Sequence, residues 1–484
     1  MGGQGHEPVA GVIVLAAGAG TRMKSRTSKL LHQVAGRSML SHAIHAADAL
    51  SPQRLVVVVG HEREQVEAHL AEVAPHVVTA FQEQQNGTGD AVRCGLAPLA
   101  DLAGEVVVTY GDVPLLTGDT LIALVETHRA GGDAVTILTS ILDDPFGYGR
   151  IVRDDEGDLV AAIVEEKDAT DAQADIREIN AGIYVFDADV LRAGLASLTT
   201  ENAQNELYLT DMVTYARGLG RAVRGLVLDD RWQTEGVNDR VQLATLSREF
   251  NRRLVEKWQL AGVTIVDPAT TWLHDTVDLA PDVTILPGTS LEGATSVASG
   301  AIIGPDTTLV DVEVGENATV VRTHGSLAVI GAGASVGPFA YLRPGTELGA
   351  GGKIGTFVET KNASIGAGAK VPHLAYAGDA IIGEGANIGA GTIFANYDGV
   401  TKSTTTVGRY SFVGSDTVLV APVVIADGAY VAAGSTVTDD VGPGELAVAR
   451  GRQRNIPGWV DSRRAGTKTQ RAAHEALGNE GASA

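Results

Sequence analysis

Short runs of β-branched and other apolar residues alternate with longer mixed segments along the first half of the chain. The runs that predict strands are Val12–Ala16, Leu55–Val59, Val77–Phe81, Val106–Tyr110, Ala134–Thr139 and Ile183–Phe186. Between several of them lie segments of helical character, such as Met39–Leu50 and Thr120–Arg129. This alternation predicts an α/β domain with a mostly parallel, Rossmann-like sheet, in which ligands bind beyond the carboxyl ends of the strands.

The second half carries an apolar residue at every sixth position over long stretches. The first series consists of Leu273, Leu279, Ile285, Leu291, Val297, Ile303 and Leu309. Later series begin at Ile330, Ile382 and Val407, and we expect their members, Phe394 and Val400 included, to point inward. No helix keeps one face apolar at this period, whereas a parallel β-helix places one short strand in each hexapeptide and three hexapeptides in each turn. The pattern therefore predicts a left-handed parallel β-helix of hexapeptide repeats.

The six-residue phase slips at three places in this second half. The irregular gaps run from Ile354 to Ile365, from Val371 to Ile382 and from Val400 to Val407. The polar residues inside or just before these gaps are Lys361, His373, Tyr376, Asn396 and Tyr397. A lone histidine is commonly a surface residue, but departures from an ideal repeat are typical of functional sites, and here a base, a cation and a phenol collect on adjacent coils.

A predicted helix over residues 239–260 joins the two halves. Its apolar residues recur at helical spacing and are Leu243, Leu246, Phe250, Leu254 and Trp258. The chain of 484 residues is long enough for at least two domains. We predict that these are residues 9–238 and residues 261–458, with residues 1–8 as a flexible lead-in and residues 459–484 as a mobile tail.

Composition narrows the possible partners and compartment. The formal net charge of −22 argues against nucleic acid or an anionic membrane as the main partner, but local cations and backbone N–H groups can still bind a nucleotide. A single cysteine, Cys94, excludes an intrachain disulfide framework and a Cys-based zinc cluster. No uninterrupted apolar run is long enough for a membrane span, so we expect a cytoplasmic protein.

Glycine and basic residues follow the first predicted strand. The string GAGTRM covers residues 18–23, and Lys29 comes six positions after it. Backbone N–H groups in such a turn can bind phosphate, while Arg22 and Lys29 supply charge. The string lacks the third glycine of the dinucleotide fingerprint and the Gly-Lys-Ser/Thr of a Walker loop. The glycines alone are equally typical of an ordinary strand-to-helix turn. Asp112, just after another strand, is either a ligand for Mg²⁺ on a nucleotide phosphate or a turn residue.

Seven strings in the first half resemble the sugar-nucleotide pyrophosphorylases. They are GAGTRM, NGTGDA, YGDVP, GYGRI, EEKDAT, EINAG and EGVND, in this order. The likeness is strongest to the family of bacterial bifunctional N-acetylglucosamine-1-phosphate uridylyltransferase and glucosamine-1-phosphate N-acetyltransferase enzymes, and it extends over residues 9–458. The chain departs from the family pattern at Asn86 and Asp90, where Leu and His are usual.

The resemblance implies a nucleotidyltransferase fold and a UTP and UDP-N-acetylglucosamine site in the first half. The residues expected to hold the uridine are Leu15, Ala16, Ala17, Gly18, Gln82, Gly87 and Thr88, with Tyr110, Gly111 and Asp112 beside them. Gly149, Glu165 and Asn180 would hold the sugar. Arg22 and Lys29 would neutralise the triphosphate during catalysis, and Asp112 and Asn238 would bind Mg²⁺.

Six strings in the second half, RPG, VETKNA, HLAYAGDA, NIGAGT, NYDG and FVGSDT, resemble the acetyltransferase part of the same family. The residues implied for glucosamine-1-phosphate are Arg343, Lys361, Tyr376 and Asn387. Those implied for acetyl-CoA are Ala390, Asn396, Tyr397, Ser415, Ala433 and Arg450. His373 would be the general base, because an amine must be neutral to attack a thioester and an imidazole can accept its proton near neutral pH.

Three hypotheses about function follow. The first, implied by the resemblance, is a homotrimeric bifunctional enzyme that acetylates glucosamine-1-phosphate with acetyl-CoA and then joins N-acetylglucosamine-1-phosphate to UMP from UTP, for cell-wall synthesis. The second is a monofunctional nucleotidyltransferase with a structural β-helix, against which the grouping around His373 argues. The third is a regulatory protein without catalysis, against which Lys29 and Asp112 argue.

Overall fold

The computed structural model describes residues 7–480 and divides the chain into two compact units, Met1–Glu313 and Val314–Ala484. The first unit contains an α/β domain, a long helix and the first coils of a β-helix, and the second contains the remaining coils. The lead-in expected at residues 1–8 falls for the most part outside the described residues. Near residue 260 the chain passes from a long helix to short stacked strands. That this point is also a boundary between domains stays a prediction.

The α/β domain is built on a mixed sheet of nine strands with a separate small hairpin. The strands are β1 Gly11–Ala16, β2 Gln33–Val34, β3 Arg37–Ser38, β4 Arg54–Val59, β5 Val78–Phe81, β6 Glu105–Tyr110, β7 Val135–Ile141, β8 Arg150–Arg153, β9 Val160–Val164, β10 Glu178–Asp187 and β11 Val223–Val227. The main path of the sheet is β11-β7-β10-β6-β1-β4-β5, and β8 and β9 are attached through β10. Strands β1, β4, β5 and β6 are mutually parallel, which confirms the predicted fold class.

One strand of this sheet runs against its neighbours. Strand β10 is antiparallel to both β6 and β7, and its register shifts between Asn180 and Tyr184. The sequence did not indicate this direction, because a buried apolar run has the same composition in a parallel or an antiparallel pair. The irregularity bends β10 at the residue that we expect to hold the sugar.

Helices cover both faces of the sheet. The α-helices are α1 Met39–Asp48, α2 Arg63–Val73, α3 Thr88–Leu96, α4 Gly118–Gly131, α5 Asp171–Ala174, α6 Ala188–Leu195, α7 Asp211–Gly218 and α8 Arg240–Leu260, and the short 3₁₀ helices are Thr21–Met23, Lys29–Leu31, Ala97–Leu99, Glu166–Asp168 and Arg231–Thr234. Side chains of β1 alternate between two cores, with Ile13 and Leu15 in one and Val12 and Val14 in the other. The sheet is therefore buried on both faces, and its free access to ligands lies at the strand ends.

The predicted linker helix is α8. Leu246, Leu254 and Trp258 are buried along one face of it, as the apolar spacing indicated. The buried side chain of Asn251 donates to the Thr271 carbonyl at 2.8 Å and accepts from the Leu273 amide at 2.9 Å. This amide side chain satisfies backbone groups at the start of the β-helix, which would otherwise be an open strand edge.

Short parallel strands stack in the β-helix part of the first unit. They are Thr264–Ile265, Trp272–Leu273, Asp278–Leu279, Thr284–Ile285, Ser290–Glu292, Ser296–Val297, Ile302–Ile303 and Thr308–Val314. Leu273 pairs with Leu291 and Leu291 with Leu309, each eighteen positions later, which is three hexapeptides per turn. All three are buried, which confirms that the apolar residues of this series point into the β-helix.

The second unit continues with strands of the same kind. They are Thr319–Val320, Thr323–Ile330, Ser335–Val336, Ala340–Leu342, Thr346–Leu348, Lys353–Thr356, Glu359–Ile365, Lys370–His373, Tyr376–Ile382, Asn387–Ile388, Ile393–Ala395, Thr405–Val407, Phe412–Val413, Val418–Val420, Val423–Ile425, Tyr430–Val431, Thr436–Val437 and Leu446–Ala447. Their stacking in parallel is consistent with the predicted left-handed β-helix of hexapeptide repeats.

None of the helices within residues 7–480 has the length and hydropathy that a membrane crossing needs.

One predicted inward residue is not inward. Phe394 is fully buried, but Val400 is 87% exposed, so the expectation that Val400 belongs to the core is wrong. The reason is an insertion, because Ile388 pairs with Val413, twenty-five positions later, and the extra residues form a loop between Ala395 and Thr405. The six-residue spacing from Phe394 to Val400 is therefore a coincidence.

The other two phase slips come from shortened coils. Ile354 pairs with Val371 and Ile365 with Ile382, each seventeen positions later. Each of these turns is therefore one residue shorter than the ideal eighteen.

Beyond the coils lie two helices, Trp459–Arg463 and Lys468–Glu480, in the segment that we expected to be a mobile tail. The sequence analysis did not predict these helices.

Candidate active sites

A cavity of about 300 Å³ opens at the carboxyl ends of β1 and β6, where the α/β fold predicts a ligand site. The predicted uridine and phosphate residues that line it are Leu15, Ala16, Ala17, Gly18, Lys29, Gln82, Gly87, Thr88, Tyr110 and Asp112. Gln85 and Glu206 also line it and were not singled out from the sequence. The structure thus gathers residues from separate strands and loops around one space of a size suited to a small molecule.

The glycine turn after β1 brings Lys29 to this cavity. Gly20 has a φ of +58°, and a Cβ there would lie 2.7 Å from Cβ of Lys29, so a larger residue would push the lysine away. Arg22 on the same turn is exposed and does not line the cavity. Of the two predicted cations, the structure therefore brings only Lys29 to the cavity.

Lys29 and Asp112 form an ion pair inside the cavity, with 2.5 Å between Nζ and Oδ2. Both side chains are largely buried. The Gly111 amide donates to the Leu15 carbonyl at 3.0 Å, which fixes the turn that carries Asp112. The Val237 amide donates to the Asp112 carbonyl at 3.0 Å, so the loop that leads to Asn238 lies beside the aspartate.

A second glycine shapes the opposite wall of the cavity. Gly87 has a φ of +107°, and a Cβ on it would lie 2.6 Å from the Leu207 carbonyl oxygen, so neither its conformation nor its surroundings suit another residue. Gln82 is buried, and its amide donates to the Gly87 carbonyl at 3.3 Å. The wall formed by Gln82, Gly87 and Thr88 therefore has a fixed backbone.

The three residues predicted for the sugar lie together. The Asn180 amide donates to the Gly149 carbonyl at 2.8 Å, and a Cβ on Gly149 would lie 3.5 Å from Oε2 of Glu165. Thr210 donates its hydroxyl proton to Oε1 of Glu165 at 3.2 Å. Burial is the main cause that raises the pKa of Glu165, and the hydrogen bond from Thr210 partly offsets it. Within residues 7–480 no hydrogen bond to Oε2 of Glu165 is found, so this largely buried carboxylate is suited to accept hydrogen bonds from sugar hydroxyls.

Tyr110 links the phosphate and sugar regions. Burial, and then the charges of Asp112 and Glu165, raise the pKa of Tyr110 well above its usual range, so its hydroxyl stays protonated. A Cβ on Gly182, whose φ is +78°, would lie 2.5 Å from the Tyr110 ring, so this glycine gives the ring its space. Tyr148 precedes Gly149 in the chain, and burial and the carboxylate of Glu235 raise the pKa of Tyr148 to about 12.

The β-helix carries the second group of predicted residues. His373 ends the strand Lys370–His373 and is exposed, and its carbonyl accepts from the Gly391 amide at 3.3 Å. Tyr376 begins the next strand, and its ring lies over Gly378, where no side chain would fit. The shortened coil that causes the phase slip thus presents the histidine at the surface beside Tyr376.

Three cations collect on neighbouring coils. Arg343 is paired with Glu359 at 2.9 Å. The neighbouring ammonium group of Lys402 is the main cause that lowers the pKa of Lys361, and the charge of Arg343 adds to it. These like charges therefore repel one another, and an anion bound among them would relieve that repulsion. Lys402 was not predicted from the sequence, because the loop that carries it has no repeat signal.

An acidic residue connects this cluster to the inserted loop. Asp379 accepts from Nδ2 of Asn362 at 2.8 Å and from Nδ2 of Asn396 at 2.5 Å. Burial alone would raise the pKa of Asp379, but these hydrogen bonds and the charges of Lys402 and Lys361 lower it overall. Tyr397, next to Asn396, pairs through its backbone with Lys402.

The residues predicted for acetyl-CoA form a line along one corner of the coils. The Asp416 amide donates to the Ala390 carbonyl at 2.7 Å, and the Gly434 amide donates to the Ser415 carbonyl at 2.8 Å. A Cβ on Gly414 would touch the Ala433 amide nitrogen, and a Cβ on Gly434 would lie 3.9 Å from Cδ of Arg450. Ala390, Ser415, Ala433 and Arg450 therefore follow one another on successive coils. Asn387 lies on the strand Asn387–Ile388, whose backbone pairs with Lys370 and Phe412.

Comparisons with known proteins cover most of the chain. A family model described as a MobA-like NTP transferase domain matches residues 12–166. A protein of Paenarthrobacter aurescens (strain TC1) named "Bifunctional protein GlmU" is 56% identical over 470 residues, which are 96% of this chain and 94% of that protein. A protein of the same name from Mycolicibacterium gilvum (strain PYR-GCK) is 57% identical over 96% of this chain and 94% of its own length. Another from Mycobacterium bovis (strain BCG / Pasteur 1173P2) is 56% identical over 96% of this chain and 95% of its own length.

Proposed function

The chain belongs to the family of the bifunctional GlmU proteins, and from this membership together with its two groups of polar residues we infer how its two activities are divided. It is an enzyme of UDP-N-acetylglucosamine synthesis with a glucosamine-1-phosphate N-acetyltransferase and a uridylyltransferase activity. We assign uridylyl transfer to the cavity at the ends of β1 and β6, and acetyl transfer to the β-helix around His373. The observation that carries the assignment is the Lys29–Asp112 pair inside a cavity of nucleotide size.

Uridylyl transfer needs positioning and charge neutralisation more than proton transfer. An oxygen of N-acetylglucosamine-1-phosphate attacks the α-phosphorus of UTP, the bond to the β-phosphate breaks, and pyrophosphate leaves. The attacking phosphate is already ionised, so no general base is required. Lys29 holds the triphosphate, and Arg22, which is exposed beside the cavity turn, can meet its outer phosphates. Gln82, Gly87 and Thr88 hold the uridine.

The sugar is held by the cluster of Gly149, Glu165 and Asn180. Support comes from the largely buried Glu165 carboxylate and from Gly149, whose missing side chain leaves Oε2 of Glu165 uncovered on that side. Tyr110 lies between the sugar and the phosphates and keeps its proton as a donor. With both substrates fixed, the reacting oxygen and phosphorus are held in line, which accounts for most of the catalysis expected from such a site.

Members of this family need a divalent metal, and we propose that the ion is Mg²⁺, held by Asp112 and Asn238. Mg²⁺ in nucleotide sites is commonly bound by one or two protein groups, with the phosphates and water completing the octahedron. The residues fit this rule, because the loop that leads to Asn238 lies against Asp112, whose carboxylate faces the cavity. When bound, the ion supplies charge that neutralises the phosphates in the transition state.

Acetyl transfer is proposed to use His373 as the general base. The imidazole accepts a proton from the amine of glucosamine-1-phosphate as the amine nitrogen attacks the thioester carbonyl. The C–S bond then breaks, and the imidazolium returns the proton to the leaving sulfur, so coenzyme A departs as a thiol. Arg343, Lys361 and Lys402 bind the sugar phosphate, while Tyr376 and Asn387 contact the sugar. Acetyl-CoA lies along the line of Ala390, Ser415, Ala433 and Arg450, with Asn396 and Tyr397 near its acetyl end.

We also propose that the protein is a cytoplasmic homotrimer. Support for self-association comes from aromatic side chains on the surface of the second unit: Phe339 and Phe357 are 52% and 58% exposed and stack with 5.4 Å between ring centroids. Exposed aromatic pairs of this kind are typical of interfaces. Light scattering of the purified chain should give three times the monomer mass of 50.1 kDa.

Two assays test the division of activities. Protein mixed with glucosamine-1-phosphate and acetyl-CoA, without UTP, should release free thiol. Protein mixed with N-acetylglucosamine-1-phosphate and UTP should release pyrophosphate. Pyrophosphate release without thiol release would favour a monofunctional nucleotidyltransferase with a structural β-helix, and the absence of both would contradict an enzyme.

A further inference from the structure

A buried carboxylate faces one of the residues that line the nucleotide cavity. Nε2 of Gln82 donates a hydrogen bond to Oδ2 of Asp90 at 3.0 Å and another to the Gly87 carbonyl at 3.3 Å. Gln82 and Asp90 are each only 4% exposed. The second carboxylate oxygen of Asp90 accepts from Arg93, one helical turn further along α3. Asp90 is thus held from two sides.

The hydrogen-bonding capacity of Asp90 determines which atom of the Gln82 amide, Nε2 or Oε1, faces it. The oxygen and nitrogen of an amide are nearly identical in shape, but a carboxylate can only accept hydrogen bonds. The nitrogen of Gln82 must therefore face Asp90, and both of its protons are used by Asp90 and Gly87. Within residues 7–480, no donor to Oε1 of Gln82 is found, so this oxygen remains for a ligand in the cavity.

We propose that Asp90 is a positioning residue that sets the base specificity of the uridylyltransferase site. It holds the Gln82 amide so that Oε1 is presented to the base as an acceptor. Uracil carries a proton on N3 and can donate to that oxygen, whereas N3 of cytosine carries a lone pair and is repelled by it. The inference rests on the proposed contact between Gln82 and the uridine.

The decisive variant is Asp90→Asn, which keeps the size of the side chain but not its acceptor-only character. An asparagine can face Gln82 with either its oxygen or its nitrogen, so the Gln82 amide can turn over and donate to cytosine once it gives up its long 3.3 Å bond to the Gly87 carbonyl. We expect the ratio of kcat/KM for UTP to that for CTP to fall roughly tenfold, the effect of one hydrogen bond. The ratio for UTP to dTTP should not change, because thymine has the same N3–H as uracil.

A matched control is available on another helix. Asp189 also pairs with an arginine three residues later, Arg192, at 2.9 Å, but no residue that lines the cavity is hydrogen-bonded to it within the part of the chain that the structure describes. Asp189→Asn should leave both ratios unchanged. Asp90→Glu, which remains an acceptor only, should retain most of the preference for UTP over CTP, as a conservative rescue.

Each outcome separates a positioning role from a structural one. If Asp90→Asn lowers kcat/KM for UTP, CTP and dTTP by the same factor, Asp90 only supports the loop and the inference is overturned. If Asp90→Asn does not fold, judged by thermal unfolding, Asp90→Ser is measured instead, because a hydroxyl also donates or accepts and should relax the ratio in the same way. If Gln82→Ala leaves KM for UTP unchanged, the proposed uridine contact itself is wrong.

Discussion

The ammonium nitrogen of Lys29 lies 2.5 Å from Oδ2 of Asp112, although the two residues are 83 positions apart in the chain. Each side chain is less than one-fifth exposed. The cation that we assign to the triphosphate and the carboxylate that we assign to its metal ion therefore share one small space. When the nucleotide and its metal ion bind, Lys29 has to exchange its contact with Asp112 for contacts with phosphate oxygens. Binding of the triphosphate by Lys29 is therefore coupled to binding of the metal ion by Asp112.

The first prediction concerns this pair. Asp112→Asn removes the negative charge that attracts a divalent ion, so we expect uridylyl transfer to fall by about 10²- to 10³-fold while acetyl transfer is unchanged. Pyrophosphate and thiol release measure the two rates. The lost rate should be partly regained at higher Mg²⁺ concentration. Asp119→Asn, a control on α4 outside the cavity, should leave both rates unchanged; loss of both activities in a folded Asp112 variant would contradict the two-site assignment.

The second prediction concerns the base on the β-helix. His373→Ala removes the group that accepts the amine proton, so acetyl transfer should fall by about 10²- to 10⁴-fold, with uridylyl transfer intact. The control is His324→Ala, another exposed histidine of the second unit. An acetyl-transfer rate in the His373 variant equal to that of the control would show that the histidine is not the base.

The third prediction concerns the lysine that sequence analysis missed. Lys402→Ala leaves the sugar phosphate with one cation fewer, so KM for glucosamine-1-phosphate should rise about 10- to 100-fold, with KM for acetyl-CoA little changed. The same change removes the main cause that lowers the pKa of Lys361. Lys353→Ala, an exposed lysine on another coil, serves as control. Equal effects on both KM values would argue for a structural role of Lys402.

The fourth prediction concerns Glu165, whose pKa is raised chiefly by burial. The folded protein binds this proton more tightly than the unfolded chain, so the carboxylate destabilises the fold increasingly as pH rises through the raised pKa. Glu165→Gln should therefore raise Tm at pH 8, and the difference should shrink as the pH is lowered toward 5. The variant should also raise KM for N-acetylglucosamine-1-phosphate. A difference in Tm that does not depend on pH would show that charge burial is not its cause.

The fifth prediction compares two residues that share the six-residue period. Phe394→Ala should lower the free energy of unfolding by about 3 to 5 kcal/mol, because it leaves a cavity in a fully buried position. Val400→Ser should change it by less than about 0.5 kcal/mol, because Val400 is 87% exposed. Urea denaturation measures both. A large loss for Val400→Ser would mean that its loop is packed against another surface in solution.

Two features of the chain were predictable because they depend on short-range repetition. Residues such as Leu273 and Leu291 recur at the period at which a β-helix turns its side chains inward, and the structure buries both. The apolar runs likewise predicted six of the nine strands of the α/β sheet, to within one or two residues at most ends, with β10 as the longest exception. Strands β8, β9 and β11 were not predicted. Local pattern is sufficient here, since backbone geometry itself sets these periods.

The candidate sites were predictable only in part. Asp112 stands in the string YGDVP, and Lys29 and Gln82 were expected from the family resemblance; the three meet in one cavity, but nothing in the sequence shows that Glu206 joins them. Lys402 lies in an inserted loop without a repeat, and its closeness to Lys361 comes from the way in which that loop folds back on the coils.

The amino-acid sequence by itself determined the two architectures, the position of the glycine turn after β1 and the coils that carry the residues proposed for acetyl transfer, because periodicity and glycine placement act over a few residues. Only the tertiary structure decided the direction of β10, the exposure of Val400 and the contact of Asp90 with Gln82. These depend on which distant segments become neighbours, and burial and hydrogen bonding between such segments are properties of the folded chain rather than of any local pattern.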